Sequence, residues 1–395
     1  MTAPIAVYVH IPFCTIKCGY CDFNAYAGMD ALKDAYAAAL LAEARASAPL
    51  LAGRTIASVG FGGGTPGEVP PAHIAGVISA LRELAPFAPG AEITLEVNPG
   101  TTSPARLARL RQAGVTRLSI GAQSFHPEEL ASLDRIHSPQ ATIATFRAAR
   151  RLGFPSLNLD LIYGLPGQPL DRWLESLRCA LELEPDHLSL YALTIEEGTL
   201  LARRIRDGDV PPPDPDLAAD MYEAAADVLE EAGFEQYELS NWARPGHQSR
   251  HNRTYWTDGD YLALGAGAHG YLSGERYENL AHPRAYIEAV RAAPPAQPRP
   301  ALARVTTPAP PAQVADWLAL RLRLLEGFDP AEFEERWGFP LERAVGPVLE
   351  DCAAAGLLER APRVRLTRRG TLLHGEVAAR FLSHLQRHWT ERLTA

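Results

Sequence analysis

The chain has 395 residues and a formal net charge of −9, which is enough length for one large core and a second, smaller domain. The acidic balance argues against an extended nucleic-acid surface. No apolar run reaches the length that crosses a bilayer, and the first residues do not resemble a secretory signal. We therefore expect a soluble, cytoplasmic protein.

Short apolar segments alternate with longer amphipathic ones up to about residue 240. The apolar segments predict strands over Ile5–Val9, Ser58–Phe61, Ile93–Val97, Arg117–Ile120, Leu157–Ile162 and Leu188–Tyr191. The amphipathic segments predict helices over Asp30–Ser47, Pro71–Leu84, Pro104–Ala113, Ala141–Leu152 and Leu170–Leu183. This alternation is typical of parallel strands with right-handed crossovers, so the predicted fold class is α/β, with a partial (β/α)6 TIM-like barrel.

The composition changes after this region, which predicts further domains. We assign residues 1–283 to the barrel domain, 284–312 to a stiff, proline-rich connector and 313–395 to a C-terminal domain. The C-terminal domain is predicted to be mainly helical, with a hairpin over Leu357–Thr367 that gives it a winged-helix-like pattern. We interpret the arginines near this hairpin as a solvated wing rather than as phosphate ligands.

Three cysteines form the most informative motif, because Cys14, Cys18 and Cys21 have the spacing C-x3-C-x2-C. A cubic four-iron cluster takes one thiolate per iron, so three thiolates leave one iron open to a small molecule. Zinc is the alternative, but zinc prefers four protein ligands and the loop has no second pair of cysteines. Cys179 and Cys352 lie in helical segments and are interpreted as small apolar residues.

Polar and glycine-rich segments follow the predicted strands, where a β/α barrel builds its reactive face. In chain order these segments are Cys14–Cys21, Gly62–Pro66, Glu96, Gln123, Asp160 and Tyr191–Ala192. Their common position predicts one site at one rim of the barrel. Glycines in such a site allow the backbone to approach a ligand closely, and carboxylates accept hydrogen bonds from hydroxyl or amino groups.

Six motifs carry a resemblance to a known family. They are Tyr8-Val-His-Ile-Pro-Phe-Cys14, Gly62-Gly-Gly-Thr-Pro66, Glu96-Val-Asn-Pro-Gly100, Ser119-Ile-Gly-Ala-Gln-Ser-Phe125, Asp160-Leu-Ile-Tyr-Gly-Leu-Pro-Gly167 and His251-Asn-Arg-Thr-Tyr-Trp256. With them the chain resembles radical S-adenosylmethionine (SAM) proteins, in the branch of oxygen-independent coproporphyrinogen III oxidases and HemW-type heme chaperones. The resemblance runs from Tyr8 to about Tyr271 and continues more weakly through the C-terminal region.

This resemblance implies a [4Fe-4S] cluster on Cys14, Cys18 and Cys21, with SAM bound at the open iron. It also implies an aromatic contact between Tyr20 and the adenine of SAM. His269 falls in a segment that borders a second SAM in the oxidases. The other SAM-contacting positions implied by the resemblance are Tyr8, Gly63, Gly64, Thr65, Glu96, Gln123, Arg135, Asp160 and Ala192.

Two departures from the oxidases favour the chaperone side of the branch. Phe23 stands where the oxidases carry a further cysteine, and only thirteen residues precede Cys14 in place of a long N-terminal extension. The His251 motif is associated with heme binding in HemW-like proteins, which makes the segment up to residue 283 heme-associated.

The same motif implies a heme site. His251 is a candidate axial ligand for heme iron, and Tyr255 and Trp256 are candidates to pack on the macrocycle. His247 is close enough in sequence to take its place, and a histidine satisfied by hydrogen bonds at the barrel edge is the alternative.

These residues leave three hypotheses. The first is a heme chaperone that carries heme as cargo to a heme-accepting apo-protein, a respiratory enzyme being one candidate. The second is an oxygen-independent coproporphyrinogen III oxidase that decarboxylates porphyrinogen propionates by radical chemistry, and we favour the chaperone over this enzyme. The third is a DNA-binding regulator with a redox-sensing cluster, which the acidic charge disfavours. No nucleic-acid partner is expected, whereas a transient membrane-surface contact and a homodimer stay open.

Overall fold

The structure, a computed structural model, describes residues 3–393, with side chains described through residue 389. It divides into two compact units. The first runs to Glu235 and adds Trp242–His251 and Asp260–Val305. The second consists of Gln236–Asn241, Asn252–Gly259 and the residues from Thr306 onwards. Within the described range, no helix is both long and apolar enough to cross a membrane.

The strands in chain order are β1 Ala3–Ile11, β2 Phe13–Cys14, β3 Tyr26–Ala27, β4 Arg54–Gly63, β5 Phe87–Val97, β6 Arg117–Gln123, β7 Ser156–Tyr163, β8 His187–Ala192, β9 Glu235–Glu238, β10 Asn241–Ala243, β11 Tyr261–Leu264, β12 His269–Leu272, β13 Glu275–Asn279, β14 Leu302–Thr306, β15 Leu358–Glu359 and β16 Arg365–Leu366. The six strands β1, β4, β5, β6, β7 and β8 are neighbours in that order and pair in parallel. This arrangement confirms the predicted α/β partial barrel.

The helices are α1 Lys33–Ala46, α2 Ala48–Leu51, α3 Pro71–Leu84, α4 Pro104–Ala113, α5 Pro127–Ser132, α6 Pro139–Arg151, α7 Leu170–Leu181, α8 Leu200–Arg206, α9 Pro215–Glu231, α10 Arg250–Trp256, α11 Pro283–Ala292, α12 Pro310–Arg321, α13 Pro330–Trp337, α14 Leu341–Ala354, α15 Arg368–Leu372 and α16 His374–Leu393. Proline in the first turn fixes a helical φ angle and costs no hydrogen bond there, which explains why many of these helices begin at proline. Ser103, Ser138 and Thr199 cap their helices by accepting a backbone N–H bond.

The sheet of the first unit extends beyond the six-stranded barrel. β11 pairs in parallel with β1, and β12 and β13 continue from it as an antiparallel ribbon. Strand interiors such as Val7, Val59 and Leu118 are completely buried because helices cover the outer face of the sheet. The short pair β2 and β3 brackets the cysteine loop and fixes both of its ends beside the end of β1.

The predicted extended connector over residues 284–312 is wrong. This segment contains most of α11, the strand β14 and the start of α12. The prolines misled the prediction because Pro310 occupies the first turn of a helix, where proline is well tolerated.

The predicted domain limits also differ from the two units of the structure. Gln236–Asn241 and Asn252–Gly259, which the sequence placed in the barrel domain, lie in the second unit, whereas Asp260–Val305 lies in the first. Sequence composition does not reveal such interleaving, because each segment is too short to form a core of its own.

The second unit has its own apolar core, in which Trp317 packs against Phe328 and Phe333. β15 and β16 form the predicted hairpin. Its arginines are engaged with neighbouring groups rather than displayed together as a basic patch: Arg365 pairs with Glu359, and Arg363 binds the Gly327 carbonyl and Glu332. These contacts fit a wing that stabilises its own unit.

A buried carboxylate forms hydrogen bonds that hold the loop between β11 and β12 in the first unit. Glu43 of α1 is 1% exposed and accepts 2.7 Å hydrogen bonds from the Gly265 backbone N–H, the Asn279 amide and the Tyr286 hydroxyl. Burial raises the pKa of Glu43 to about 7, although these three hydrogen bonds lower it. The folded protein therefore holds a proton on Glu43 that the unfolded chain releases at lower pH.

We predict a pH-dependent stability contribution from Glu43. Because its folded pKa lies above that of an ordinary glutamate, the wild-type protein should lose stability relative to Glu43→Gln as pH rises from 4.5 to about 7. The loss should approach roughly 3 kcal/mol, since each unit of pKa difference corresponds to about 1.4 kcal/mol. Thermal melts of both proteins at pH 5 and pH 8 measure it, and a stability gap independent of pH would contradict it.

Candidate metal and cofactor site

The cysteine loop lies at the carboxyl end of β1, between β2 and β3. Cys14, Cys18 and Cys21 are all half-buried free thiols, and the Cys21 N–H donates to the Cys18 carbonyl over 3.1 Å. Cys14 Sγ lies 3.3 Å from Thr65 Oγ1. Burial raises the pKa of the Cys14 thiol to about 11, although the hydrogen bond with Thr65 lowers it. Formation of the Cys14 thiolate must therefore accompany metal binding.

The three cysteine thiols match the donor set of a four-iron cluster. Among the described residues, no group of three His, Cys, Asp or Glu side chains converges in a way that would hold one metal ion. A four-iron cluster does not need such convergence, because each thiolate binds a different iron. The donor set of three thiols therefore fits the predicted cluster with one iron open.

Arg135 connects the cysteine loop to two neighbouring strand ends. Its Nη1 lies 3.5 Å from Cys18 Sγ, and its Nη2 donates to Asn98 Oδ1 over 2.8 Å and to the Gly121 carbonyl over 2.7 Å. Asn98 in turn donates to Thr65 Oγ1 over 2.8 Å. Arg135 therefore lies as a fixed guanidinium beside the cysteine loop. Sequence reasoning missed Asn98, although it lies within the Glu96 motif.

The glycine loop has a packing role that the sequence did not reveal. A Cβ at Gly62 would lie 2.8 Å from Glu96 Oε1 and 3.2 Å from the Tyr8 ring. A Cβ at Gly64 would lie 2.7 Å from the Phe13 carbonyl oxygen. A side chain at Gly64 would clash with fixed backbone, and one at Gly62 would displace the Glu96 carboxylate. These two glycines therefore allow Tyr8, Glu96 and the cysteine loop to lie against the end of β4.

Tyr8 is oriented by His10, another residue that the sequence prediction did not assign. His10 Nε2 lies 2.9 Å from the Asn24 carbonyl, which can only accept, so Nε2 carries the proton. Nδ1 is then the acceptor for the Tyr8 hydroxyl, at 3.0 Å. Burial lowers the pKa of His10, which keeps the ring neutral and this tautomer in place.

Glu96 and Asp160 place two carboxylates inside the barrel rim. Enclosure by the barrel and the charge of Asp160 raise the pKa of Glu96, although solvent still reaches its side chain. Asp160 accepts from Ser119 Oγ at 2.9 Å and Asn158 Nδ2 at 2.8 Å, and burial raises its pKa. Such a pair suits a ligand with an ammonium group or hydroxyls, because a nearby cation favours the ionised carboxylates.

The remaining predicted SAM residues lie at the same strand ends. Gln123 has a positive φ of 64° beside a register shift in the β6–β7 pairing, which alters the direction of the strand end. Tyr20 packs against the small apolar cluster that contains Leu133 and Ile162. Ala192 ends β8 and is exposed.

The predicted heme residues are buried or half-buried and are divided between the two units. His251 belongs to the first unit and is 6% exposed, with Nδ1 lying 3.0 Å from Ser58 Oγ. Tyr255 and Trp256 belong to the second unit, where the Arg323 guanidinium lies 4.2 Å from the Trp256 ring centroid. His247 is half-buried, and its carbonyl accepts from Arg117. Heme binding by these residues stays a prediction.

His269, predicted from the oxidases to border a second SAM, is exposed on β12. Its Nδ1 lies 3.7 Å from Glu278 Oε2. The preceding loop is held by Glu43 and by Asn24, which donates to the Ala266 carbonyl over 3.0 Å.

We predict that cluster binding separates the five cysteines into two classes. Alanine at Cys14, Cys18 or Cys21 should abolish a reconstituted [4Fe-4S] cluster, because each removes the donor of one iron. Cys179→Ala and Cys352→Ala are the matched controls and should retain it. Iron and acid-labile sulfide analysis with electron paramagnetic resonance (EPR) under anaerobic conditions measures the outcome. Zinc in place of iron, or cluster loss in a control variant, would contradict the assignment.

Two family models match the chain. The Radical SAM superfamily model covers residues 8–180, and the HemN C-terminal domain model covers residues 310–373. Among solved structures, "Coproporphyrinogen III oxidase (HemN) from Escherichia coli" matches with a TM-score of 0.83 and 28% identity, covering 97% of this chain and 91% of that one. This likeness confirms the predicted fold class of a radical SAM barrel with a C-terminal domain.

Several curated relatives are similar over nearly the whole chain. "Heme chaperone HemW" of Mycobacterium tuberculosis (strain ATCC 25618 / H37Rv) is 40% identical over 387 residues, which is 96% of this chain and 95% of the relative. The protein of the same name from Escherichia coli (strain K12) is 37% identical over 394 residues, which is 96% and 98% of the two chains. On this similarity, the chain belongs to the HemW family within the radical SAM superfamily.

Proposed function

We propose that this protein is a heme chaperone that binds heme and delivers it to an acceptor protein. The proposal also assigns it a [4Fe-4S] cluster and SAM at the barrel rim. The observation that carries it is the similarity to proteins named heme chaperones, at 40% identity across 96% of the chain. Similarity over both units matters here, because it includes the segments outside the radical SAM barrel as well as the barrel itself.

The residues at the rim fit both cofactors. Cys14, Cys18 and Cys21 would hold the cluster, and Arg135 lies beside them as a fixed cation. The glycine loop leaves room for the backbone to approach a ligand, and Glu96 with Asp160 supplies acceptors for amino and hydroxyl groups. A reduced cluster with SAM bound supplies radical chemistry, whereas the protein positions the ligand and limits access of water.

Phe23 supports the chaperone over the oxidase. It lies just after the cysteine loop and is 64% exposed, at the position where the resemblance places a further cysteine in the oxidases. A phenyl ring supplies neither a thiol ligand nor a thiol proton. This position therefore lacks the thiol that the resemblance places there in the oxidases.

An oxygen-independent coproporphyrinogen III oxidase is the second candidate. The TM-score of 0.83 to a solved enzyme with that activity in its name favours it, because the two chains share both the barrel and the C-terminal domain. An anaerobic assay of the reconstituted protein with coproporphyrinogen III, SAM and a reductant separates the candidates. Formation of the divinyl product would establish the oxidase.

We predict stoichiometric heme binding followed by transfer. Titration of the reconstituted protein with hemin should give a Soret band distinct from that of free heme, because a protein ligand and apolar surroundings change the iron environment. Mixing the loaded protein with an apo-form of a heme protein should then move the heme to it. Absorption spectra of the two proteins after separation measure the transfer.

Hemin added to the acceptor alone is the control for spontaneous uptake. A protein that leaves the hemin spectrum unchanged, or that keeps its heme in the presence of excess acceptor, would contradict the proposed chaperone. The identity of the heme ligand is a separate matter, since His251 would have to leave its contacts with Ser58 and Tyr8 to bind iron.

A further inference from the structure

We propose that His251 is a positioning residue of the SAM site, which holds the ring of Tyr8 in place, and that it cannot ligate heme iron while it does so. The inference rests on the proposed function for its SAM and heme sites. It assigns the histidine of the His251 motif a role that differs from that of a permanently available heme ligand.

Both ring nitrogens of His251 are enclosed by the end of β4. Nδ1 lies 3.0 Å from Ser58 Oγ, and Ser58 is completely buried. On the other side, a Cβ at Gly60 would lie 2.5 Å from Nε2. His251 is 6% exposed, and a heme macrocycle is far larger than the methyl group that already has no room on this side of the ring. Neither nitrogen is therefore open to a metal in this conformation.

The imidazole fills the space that Gly60 leaves beside Tyr8. Gly60 of β4 and Tyr8 of β1 are direct register partners, so any side chain at residue 60 would lie next to the Tyr8 ring. The His251 ring occupies that position instead, with its centroid 6.4 Å from that of Tyr8 and an interplanar angle of 33°. Removal of the imidazole would leave a void against one side of Tyr8.

Two other contacts of Tyr8 lie towards the barrel rim. Its hydroxyl binds His10 Nδ1, and its ring edge lies where a Gly62 side chain would be, next to Glu96. The hydroxyl bond fixes one end of the side chain, and His251 supports the ring. Because Tyr8 has two rotatable bonds, both contacts are needed to hold it in one orientation beside the cofactor.

His251 is itself held from its backbone. Its N–H donates to Glu92 Oε1 over 3.2 Å, and the Ser249 hydroxyl donates to the same oxygen over 3.1 Å. Burial lowers the pKa of His251 to about 4, so the ring is neutral at physiological pH and Ser58 suffices to satisfy Nδ1. The backbone of His251 is held by Glu92 and its ring by Ser58, so the neutral imidazole can support Tyr8 from a fixed position.

Two variants disturb the position of the imidazole but keep the histidine. Gly60→Ala introduces a methyl group that must push Nε2 away, and Ser58→Ala removes the hydroxyl partner of Nδ1. His251→Ala deletes the support, and His247→Ala is the matched control, because it removes a half-buried histidine four residues earlier. SAM affinity of the anaerobically reconstituted proteins is measured by equilibrium dialysis and by the SAM-induced change in the EPR signal of the reduced cluster.

We expect His251→Ala and Gly60→Ala to weaken SAM binding about tenfold, as loss of a supporting contact commonly does. Ser58→Ala should weaken it about fivefold, the effect of one neutral hydrogen bond. His247→Ala should bind SAM like the wild type. Gly60→Ala should add less than about twofold in the His251→Ala background, because the void accepts the methyl group. If Gly60→Ala fails to fold, Ser58→Ala with His251→Ala decides the matter.

Heme titrations with and without saturating SAM complete the test. The proposal is supported if His251→Ala still binds heme. It is also supported if His251→Ala loses heme binding and SAM weakens heme binding by the wild type. Heme binding that is lost in the variant but unaffected by SAM overturns it. Wild-type SAM affinity in both His251→Ala and Ser58→Ala also overturns it, as does a wild type that binds no SAM.

A wild type that binds no heme would reject the proposed chaperone alone. The SAM measurements do not depend on heme, so they would still decide the role of His251.

Discussion

The parallel register of six strands is the constraint on which the site depends. β1 pairs with β4 from Ala3 to Ile11, and β4, β5, β6, β7 and β8 continue the same direction, so every strand delivers its carboxyl end to one rim. A slip of one residue would move Tyr8 and His10 to the opposite face of the sheet. The cysteine loop, the glycine loop and both carboxylates would then no longer share one space.

The interior of this barrel is more polar than that of a closed barrel packed with branched apolar side chains. Asn158 links Ser119, Asp160 and His187, with the His187 Nδ1 to Asn158 Oδ1 distance at 2.7 Å. Buried polar groups are costly unless they are satisfied, and here Asn158 bonds to all three of these neighbours. Such a network holds the rim carboxylates in fixed positions before any ligand arrives.

The elements that sequence patterns specify locally were predictable. Apolar runs located the six strands, and the polar segments after them located the loops at one end of the sheet, including the loop of Cys14, Cys18 and Cys21. Features that depend on distant partners were not predictable. The imidazole of His251 lies inside the barrel because Ser58 and Gly60, almost two hundred residues earlier, form its pocket. The burial of Glu43 was equally unpredictable from the sequence, since an isolated glutamate on a helix usually faces solvent.

The second unit is assembled from three separate segments of the chain. Its residues before Thr306 are held by partners far along the chain: the Leu325 N–H donates to the Tyr237 carbonyl, and Arg323 pairs with buried Glu238. The residues from Thr306 onwards therefore do not make up this unit alone, because separation at that point would remove Arg323 from buried Glu238 and Leu325 from Tyr237.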